Sequence, residues 1–426
     1  MQRPRHTIAV TTGLFATLML GASIAGCASN AKQEQSSAAA AAPAASTAPA
    51  SSASASSTAS TATTPAKPAR IAASAPNAPM MAVLVAETGG PSPLGIEAGR
   101  GACVAAMQRA DAPLALRVLD TQTAPTNAAR VTGEAVGGAA LGVGFTDSDP
   151  ALLAVPRFVR AGKPFIVIGA TDPTLPARCG AGVFLACFGD DAQGAAGARF
   201  GAKRFGMRAA VVQDSSRDYP RALAGYFRAA YGLAGGTVVI DADLARADRA
   251  TVGAMLAGKQ GSVDFVYLAA EPDGLGEMLA TIRAALPGVA IVGGDGLDCA
   301  AVRTVGTVPT DRVFFTTHAW FGEGATPQAL AFARAYEKQF GAPPPNAFAA
   351  LGYDAANLAY DAAARSGAPG DPVKLRDAIA ATRGFVGASG TIDYSRGPVP
   401  AKDVWMIEVA PAGLKLAERI QAGTNP

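Results

Sequence analysis

The sequence is poor in charged and aromatic residues and contains almost no histidine. Of its 426 residues, 16% are charged, 6% are aromatic and only two are histidine, while the formal net charge is +3. No basic run and no aromatic ladder accompany this weak charge, so the composition argues against a nucleic-acid-binding surface. After the N-terminal segment, no apolar run is long enough to cross a bilayer as a helix.

Motifs for catalysis, phosphate binding and metal binding are missing as well. There is no GxxxxGK(S/T) sequence, and no GxGxxG follows the first predicted strand. The cysteines and histidines lack the spacing of metal ligands, and His318 has no serine or cysteine nucleophile beside it. We therefore expect no enzyme activity, no cofactor and no metal.

What the sequence does contain begins with an export signal at residues 1–26. Arg3 and Arg5 precede an apolar, small-residue segment, and the sequence IAGC ends it at residues 24–27. This ending resembles a bacterial lipobox, which predicts cleavage before Cys27 and a lipid on its thiol. The alternative is an ordinary signal peptide in which the cysteine is incidental.

Residues 27–75 consist almost entirely of Ala, Ser, Thr and Pro. Such a segment cannot bury enough apolar surface to offset the entropy of ordering it, so we predict a flexible tether. No aspartate follows Cys27, and under the sorting rule of Gram-negative bacteria Ala28 permits transport to the outer membrane. About 350 residues remain, which is enough for two lobes.

Four cysteines are left once Cys27 is set aside. An exported protein meets an oxidising compartment, so we predict a disulfide between Cys179 and Cys187, which are close in sequence. Cys103 falls on an apolar helical face and is expected to be buried. Cys299 has no evident partner.

The rest of the chain repeats the pattern of residues 142–173, which read as strand, polar loop, helix, strand and polar loop. Pro150 fits the first turn of that helix, and both loops follow buried strands. Strand and helix patterns alternate from Met80 to the C-terminal region. Sustained alternation predicts an α/β fold with parallel sheets covered by helices, and ligands bind such sheets at the carboxyl ends of the strands.

Seven short sequences carry a resemblance to a known family. They are TGGPSPLG at residues 88–95, the two loops of residues 142–173, FGDDAQG at 188–194, DFVYLAAEP at 264–272, GGDG at 293–296 and SGTIDY at 389–394. In this order the chain resembles the type I periplasmic binding proteins of the leucine/isoleucine/valine-binding kind.

That resemblance implies two Rossmann-like lobes joined by three crossovers, which close over a ligand by a hinge motion. Lobe 1 would contain residues 76–188 and 318–385, and lobe 2 residues 189–317 and 386–420. The crossovers would lie near residues 188–189, 317–318 and 384–387.

The resemblance also implies the ligand-binding residues. Ser148, the backbone of Gly169 and Ala170, and the hydroxyl of Thr171 would hold a carboxylate. On the other lobe Asp295 would hold an ammonium, with Tyr219 near the place of a family aromatic. Read alone, Ser148 and Thr171 could be helix caps, Asp295 a turn residue and Tyr219 a packing residue at a helix start.

Two positions depart from the aliphatic amino-acid pattern. Leu94 replaces a family aromatic in the first loop, and Glu271-Pro272 stand where such proteins place aromatics. Glu271 could meet a cationic or polar group of the ligand or face solvent.

These observations lead to a functional expectation with one alternative. The resemblance implies a lipid-anchored periplasmic protein that captures a small amino-acid-like ligand for an inner-membrane ABC permease. The alternative, favoured by the long tether and by Ala28, is a non-transport outer-membrane lipoprotein that binds a cell-envelope enzyme or sensor.

Overall fold

The computed structural model describes residues 77–89, 93–109, 111–303 and 310–423. The predicted signal peptide, Cys27 with its lipid, Ala28 and the tether up to residue 75 lie outside these ranges.

The first half of the chain builds a parallel sheet in the order β2-β1-β3-β4-β5. In this sheet Val83 of the first strand lies between Val118 and Val143 of its neighbours. Apolar runs suit these strands because helices cover both faces of a parallel sheet. The strands are β1 (Met80–Val85), β2 (Ala115–Asp120), β3 (Ala139–Gly144), β4 (Phe165–Val167) and β5 (Val183–Leu185).

A second sheet uses the middle and the end of the chain, in the order β14-β13-β10-β9-β8-β6-β7. Strands β6 to β10 are parallel, β13 lies antiparallel to β10, and β14 lies antiparallel to β13. A separate antiparallel pair, β11 and β12, lies between β10 and β13 in sequence. The strands are β6 (Arg208–Gln213), β7 (Thr237–Asp243), β8 (Phe265–Ala269), β9 (Ala290–Gly293), β10 (Val313–Thr317), β11 (Phe385–Gly387), β12 (Gly390–Ile392), β13 (Val404–Ala410) and β14 (Gly413–Ile420).

Helices cover both sheets, and two of them meet through glycines. A Cβ on Gly101 would lie 1.8 Å from the carbonyl oxygen of Ala349, and a Cβ on Gly352 would lie 1.9 Å from that of Ala98. Only glycine therefore permits α1 and α11 to approach this closely. The helices are α1 (Pro93–Met107), α2 (Pro125–Ala135), α3 (Ser148–Ala154), α4 (Pro156–Arg160), α5 (Leu175–Cys179), α6 (Asp190–Arg204), α7 (Asp218–Leu233), α8 (Arg249–Ala257), α9 (Leu275–Ala285), α10 (Pro327–Phe340), α11 (Phe348–Ser366) and α12 (Pro372–Ala380).

We call the first sheet with α1–α5 and α10–α12 lobe 1, and the second sheet with α6–α9 lobe 2, according to the sheet or helices on which each helix packs. The last passage between the lobes lies later than the predicted 384–387. The Tyr394 hydroxyl donates to the carbonyl of Leu185 (2.7 Å), and the Leu185 N–H donates to the carbonyl of Pro398 (2.9 Å). These bonds hold the chain against β5, so it crosses to lobe 2 only between Pro398 and Val404. Residues 386–398 thus contact lobe 1, not lobe 2 as predicted.

The predicted disulfide between Cys179 and Cys187 is wrong, because both residues are free thiols. Cys179 ends α5, and the whole of β5 separates it from Cys187. That strand alone carries the chain about 10 Å along the sheet, beyond the roughly 7 Å that Cα atoms of a disulfide can span. The Cys187 thiol instead lies 3.7 Å from the carbonyl oxygen of Ala170.

The single helix predicted after Pro150 is two helices, α3 and α4, because Pro156 has no N–H with which to continue the first. Among the described residues, no helix has the length and apolar character needed to span a membrane. In the same ranges no group of three or more acidic, histidine or cysteine side chains is arranged to hold a metal.

Candidate functional site between the lobes

Polar residues follow the carboxyl ends of neighbouring strands on each lobe, and these ends face each other. On lobe 1, Ser148 follows β3 and Thr171 follows β4, which are adjacent in the sheet. On lobe 2, Glu271 follows β8 and Asp295 follows β9, which are also adjacent. Because parallel strands end at the same edge, the two sheets present four polar loops to one cleft.

Five of the six predicted ligand-binding residues line one small cavity, which we call the inner chamber. It is lined by Ser148, Gly169, Thr171, Tyr219 and Asp295, together with Leu94, Thr146, Asp147, Glu271, Pro272, Gly296 and Phe348. The space that the centre of a water molecule can occupy in it is about 20 Å³, which is enough for about one water. The lobes are thus in contact around it.

Ser148 points a hydroxyl with no partner into this chamber. The residue is 2% exposed, and its Oγ has no hydrogen bond. Asp147, rather than Ser148, occupies the N-cap position of α3, so Ser148 is not a helix cap. Burying an unpaired hydroxyl costs about 1–3 kcal/mol, and such a group in a native cavity calls for an explanation.

The other lobe 1 groups already have partners within the protein. The N–H groups of Gly169 and Ala170 both donate to the carbonyl of Phe145, at 3.0 and 3.3 Å. The Thr171 hydroxyl lies 2.7 Å from Oδ1 of Asp190, the first residue of α6. Contrary to expectation, the backbone at Gly169 and Ala170 therefore holds the loop in shape instead of offering donors to a ligand.

Asp295 is held by three side chains. Its Oδ1 accepts hydrogen bonds from the Tyr219 hydroxyl (2.7 Å) and from Nε2 of Gln193 (2.9 Å). Its Oδ2 lies 2.8 Å from Nε2 of His318. Asp295 is 2% exposed, and Tyr219 also accepts from the N–H of Gly296 (3.0 Å). Asp295 and Tyr219 are thus parts of a built polar site and are not merely turn and packing residues.

Glycines flanking Asp295 make this approach possible. A Cβ on Gly294 would lie 2.5 Å from the Tyr219 hydroxyl, and one on Gly296 would lie 2.2 Å from the carbonyl oxygen of Ala270. Any larger residue would separate Asp295 from Tyr219 or push apart the loops that follow β8 and β9.

Gln193 connects Asp295 to the first passage of the chain between the lobes, near residues 188–189. Its Nε2 also donates to Oδ1 of Asp190 (2.8 Å), while its Oε1 accepts from the backbone N–H of Asp295 (3.0 Å) and from the Thr316 hydroxyl (2.7 Å). Burial and the nearby charge of Asp295 raise the pKa of Asp190 well above its ordinary value. The neutral form of Asp190 is therefore favoured beside Thr171.

His318 connects Asp295 to the second passage between the lobes, near residues 317–318. Its ring is fully buried and stacks on Phe188, with ring centroids 3.8 Å apart. Burial lowers the pKa of His318, which favours the neutral ring. A neutral ring with its proton on Nε2 donates to Asp295 and leaves Nδ1, which has no partner, as an acceptor.

A wider cavity of about 340 Å³, the outer chamber, continues from the inner one toward solvent. Leu94, Thr146, Asp147, Glu271 and Pro272 line both chambers. Glu271 does not simply face solvent, because its Oε2 lies 2.9 Å from Nη2 of Arg217 and its side chain is 16% exposed.

Two arginines bridge the lobes in opposite directions beside this chamber. Arg217 of lobe 2 bonds Asp149 of lobe 1, with its Nε 2.7 Å from Oδ2. Arg178 of lobe 1 bonds Asp172 of its own lobe (2.8 Å) and reaches Asp218 of lobe 2 (3.3 Å). We call these contacts the crossed arginines; they hold the rim of the cleft together.

Sequence reasoning missed Gln193, Asp190 and Asp147 and assigned no role to His318. The sequence FGDDAQG placed Gln193 and Asp190 at a helix start between the lobes, which was the available signal for both. Asp147 adjoins the predicted Ser148. Nothing in sequence spacing could reveal that His318 reaches Asp295.

The arrangement is that of a two-lobed α/β ligand-binding protein, with its site at facing strand ends. Residues 80–413 match the family described as periplasmic binding protein, which is more than half of the chain, so the chain belongs to this family. The resemblance and the α/β fold predicted from the sequence are confirmed. Proteins of this family are solute-binding proteins rather than enzymes. No curated protein matches the chain in a sequence comparison.

Solved structures agree with this assignment. The leucine-binding protein LivK from Thermotoga maritima is 26% identical, covers 80% of this chain and 98% of its own, and has a TM-score of 0.72. The branched-chain amino acid substrate-binding protein LivJ from Streptococcus pneumoniae, in complex with isoleucine, is 23% identical over 80% and 99% (TM-score 0.70). A solute-binding protein from R. palustris, in complex with benzoate, is 21% identical over 81% and 97% (TM-score 0.68). At these lower identities the last two show the fold alone.

Proposed function

We propose that this chain is a lipid-anchored solute-binding protein that captures an amino-acid-like ligand in the periplasm and delivers it to an inner-membrane ABC permease. The single observation that carries the ligand site is the buried Ser148 hydroxyl without a partner. A ligand carboxylate would accept its hydrogen bond, which removes the cost of leaving it unpaired.

Thr171 supplies the second donor to the carboxylate. The Thr171 hydroxyl donates to Oδ1 of Asp190 at 2.7 Å, but burial raises the pKa of Asp190, and a protonated Asp190 would donate to Thr171 Oγ1 instead. The hydroxyl hydrogen of Thr171 is then free to turn into the inner chamber. Asp190 and Gln193 would therefore act by orienting Thr171.

Asp295 and Tyr219 hold the ligand's ammonium on the opposite lobe. A carboxylate offers about four lone-pair sites, and Asp295 uses three of them within the protein. Its three partners fix the direction of the remaining site before a ligand arrives, which limits the entropy lost on binding.

A ligand held by Ser148 on one lobe and Asp295 on the other would stabilise closure. The two lobes would move as units about the passages near residues 188–189, 317–318 and 399–403, as hinged binding proteins do. The inner chamber must widen to admit an amino acid, and separation of the lobes provides that space.

The lipid on Cys27 would anchor the protein, and residues 27–75 would let the binding domain reach its permease. Replacing Cys27 with serine removes the proposed acylation site, so the variant should leave the membrane fraction. The anchor assignment fails if Cys27→Ser still sediments with membranes after a high-salt wash.

The ligand is found by thermal-shift screening of the full-length protein in detergent against the common amino acids, followed by calorimetry. Ser148→Ala should weaken binding of the best ligand about 10- to 100-fold, as expected for a hydrogen bond to a charged group. Thr132→Val is the matched control, because Thr132 is also a buried hydroxyl without a partner but lies on α2, away from the cleft.

Equal losses of affinity in Ser148→Ala and Thr132→Val, or no loss in Ser148→Ala, would contradict the proposed ligand site. If no amino acid binds at all, the non-transport lipoprotein becomes the better hypothesis.

A further inference from the structure

The outer chamber carries more negative than positive charge. Asp147, Glu271 and Asp273 line it, and among its described lining residues the one cation is Arg217. Arg217 is already committed to Asp149 at 2.7 Å and to Glu271 at 2.9 Å. The lining of the outer chamber therefore has three carboxylates and one guanidinium, and that guanidinium also binds Asp149 outside it.

Asp147 is the least well compensated of these carboxylates. Its side chain accepts a hydrogen bond from the Thr146 hydroxyl (2.8 Å) and has no ion pair among the described residues. Burial and the charges of Asp149 and Asp295 raise its pKa, and burial with the charges of Asp147 and Asp149 raises the pKa of Glu271 to about 7. Arg217 opposes both shifts, but it is shared with Asp149 and leaves the two pKa values raised.

Two buried polar atoms without a hydrogen bond line the cavities that share residues with the outer chamber. The Ser148 hydroxyl points into the inner chamber, which Asp147 and Glu271 also line. On the other side, a pocket of about 300 Å³ at the ends of β6 and β8 shares Arg217, Glu271 and Asp273 with the outer chamber. Gln213 lines this pocket, is 8% exposed, and has a buried Oε1 without a hydrogen bond.

The position of this pocket in the sheet is also significant. In lobe 2 the strand order runs β9-β8-β6-β7, so the connection from β6 leads to one side and the connection from β7 returns past β6 to β8 on the other. The crevice between β6 and β8 is thus a topological switch point, where open α/β sheets bind ligands.

We propose that the ligand carries a second cationic group, an ammonium or guanidinium at the end of its side chain, and that Glu271 and Asp147 receive this group in the outer chamber. The proposal rests on the proposed function, which places the α-carboxylate and α-ammonium in the inner chamber. Leu94, Phe145 and Pro272 supply apolar walls for the intervening methylene groups.

This assignment explains the departure from the aliphatic pattern. A leucine side chain in this chamber would bury Glu271 and Asp147 against hydrocarbon and remove water from them, which is unfavourable for carboxylates. A cation instead forms charge-assisted hydrogen bonds with them. An acidic side chain would be repelled.

The test is calorimetry on the full-length protein in detergent with pairs of ligands that differ in one charge: arginine with citrulline, and lysine with norleucine. We expect the cationic member of one pair to bind about 30-fold tighter or more than its neutral counterpart. Glu271→Gln and Asp147→Asn should each reduce that preference to a few-fold. Glu134→Gln, which removes an exposed carboxylate on α2, should leave it unchanged.

The failures of the two proposals are distinguishable. Norleucine or leucine could bind as tightly as the cationic ligands while binding still depends on Ser148. In that case the proposal of a second cationic group is wrong and the proposed function stands. If no amino acid binds, or if Ser148→Ala leaves the affinity unchanged, the proposed function is wrong, and the proposal of a second cationic group is wrong with it. Thermal unfolding of each variant confirms that the fold is intact.

Discussion

Nε2 of His318 lies 2.8 Å from Oδ2 of Asp295, and both side chains are buried. His318 follows the last residue of β10, and Asp295 follows β9 in the candidate ligand site. The acid that would meet a ligand is therefore bonded directly to the second passage between the lobes. The same ring stacks on Phe188 at the first passage, so His318 contacts Asp295 and both of these passages.

This pair leads to a prediction for Asp295→Asn. The amide keeps the shape of Asp295 but loses the charge that would hold an ammonium, so binding should weaken more than about a hundredfold. The protein should also lose about 1–3 kcal/mol of stability, because Tyr219, Gln193 and His318 donate to the carboxylate. Calorimetry and denaturant unfolding measure the two effects. Unchanged affinity would rule out the zwitterion site.

Arg217→Gln should favour the open arrangement of the lobes. The substitution removes the bond to Asp149 on the opposite lobe and the partner of Glu271. Exposed ion pairs contribute about 0.2–1 kcal/mol each, so we expect ligand binding to weaken several-fold with little change in fold stability. Small-angle scattering should show a larger radius of gyration. Arg130→Gln, which breaks the Arg130–Glu134 surface pair on α2, is the control. A similar expansion in that variant would show that the expansion does not come from the loss of contacts at the cleft.

The layered α/β fold and the site loops could be predicted because strand and helix periods alternate strongly and the family's short sequences keep their order. Strand β5 was not predicted, because three apolar residues do not distinguish a strand from a loop. Its position between two cysteines of an exported protein favoured a disulfide-closed loop instead. The third passage was placed too early because it depends on Tyr394 and Pro398 bonding back to β5, a contact between distant parts of the chain. The partners of Asp295 come from three separate segments, and no local pattern joins them.

The stability of the unliganded protein should depend on pH through Glu271. Burial, with the charges of Asp147, Asp149 and Asp214, raises its pKa from 4.5 to about 7, against the opposing effect of Arg217. The neutral carboxyl is thus favoured in the folded state, so this contribution to stability is complete below pH 4.5 and is lost as the pH rises through about 7.

The matched variant is Glu271→Gln, which cannot ionise. Relative to it, the wild type should lose about 2–3 kcal/mol of unfolding free energy between about pH 5 and about pH 8. Denaturant unfolding of both proteins at several pH values measures the difference. A constant difference across this range would contradict the raised pKa.

The free thiols give a prediction that mass spectrometry decides. Burial raises the pKa of Cys179 to about 11 and that of Cys187 further, so neither should react with an alkylating reagent in the folded protein. After unfolding without reductant, both should be labelled. A cross-linked peptide containing both residues would restore the disulfide that the structure rejects.

The crossed arginines have a consequence for the medium in which the protein works. The side chains of Arg178 and Arg217 are 46% and 43% exposed, so dissolved ions reach them, whereas Ser148 and Asp295 are sealed from solvent. The Debye length shrinks from about 8 Å at physiological ionic strength to about 3 Å at 1 M salt, which weakens exposed pairs far more than buried ones. Rising salinity should therefore loosen the rim of the cleft first and shorten the residence of a captured solute, while the contacts at the floor of the site stay unchanged.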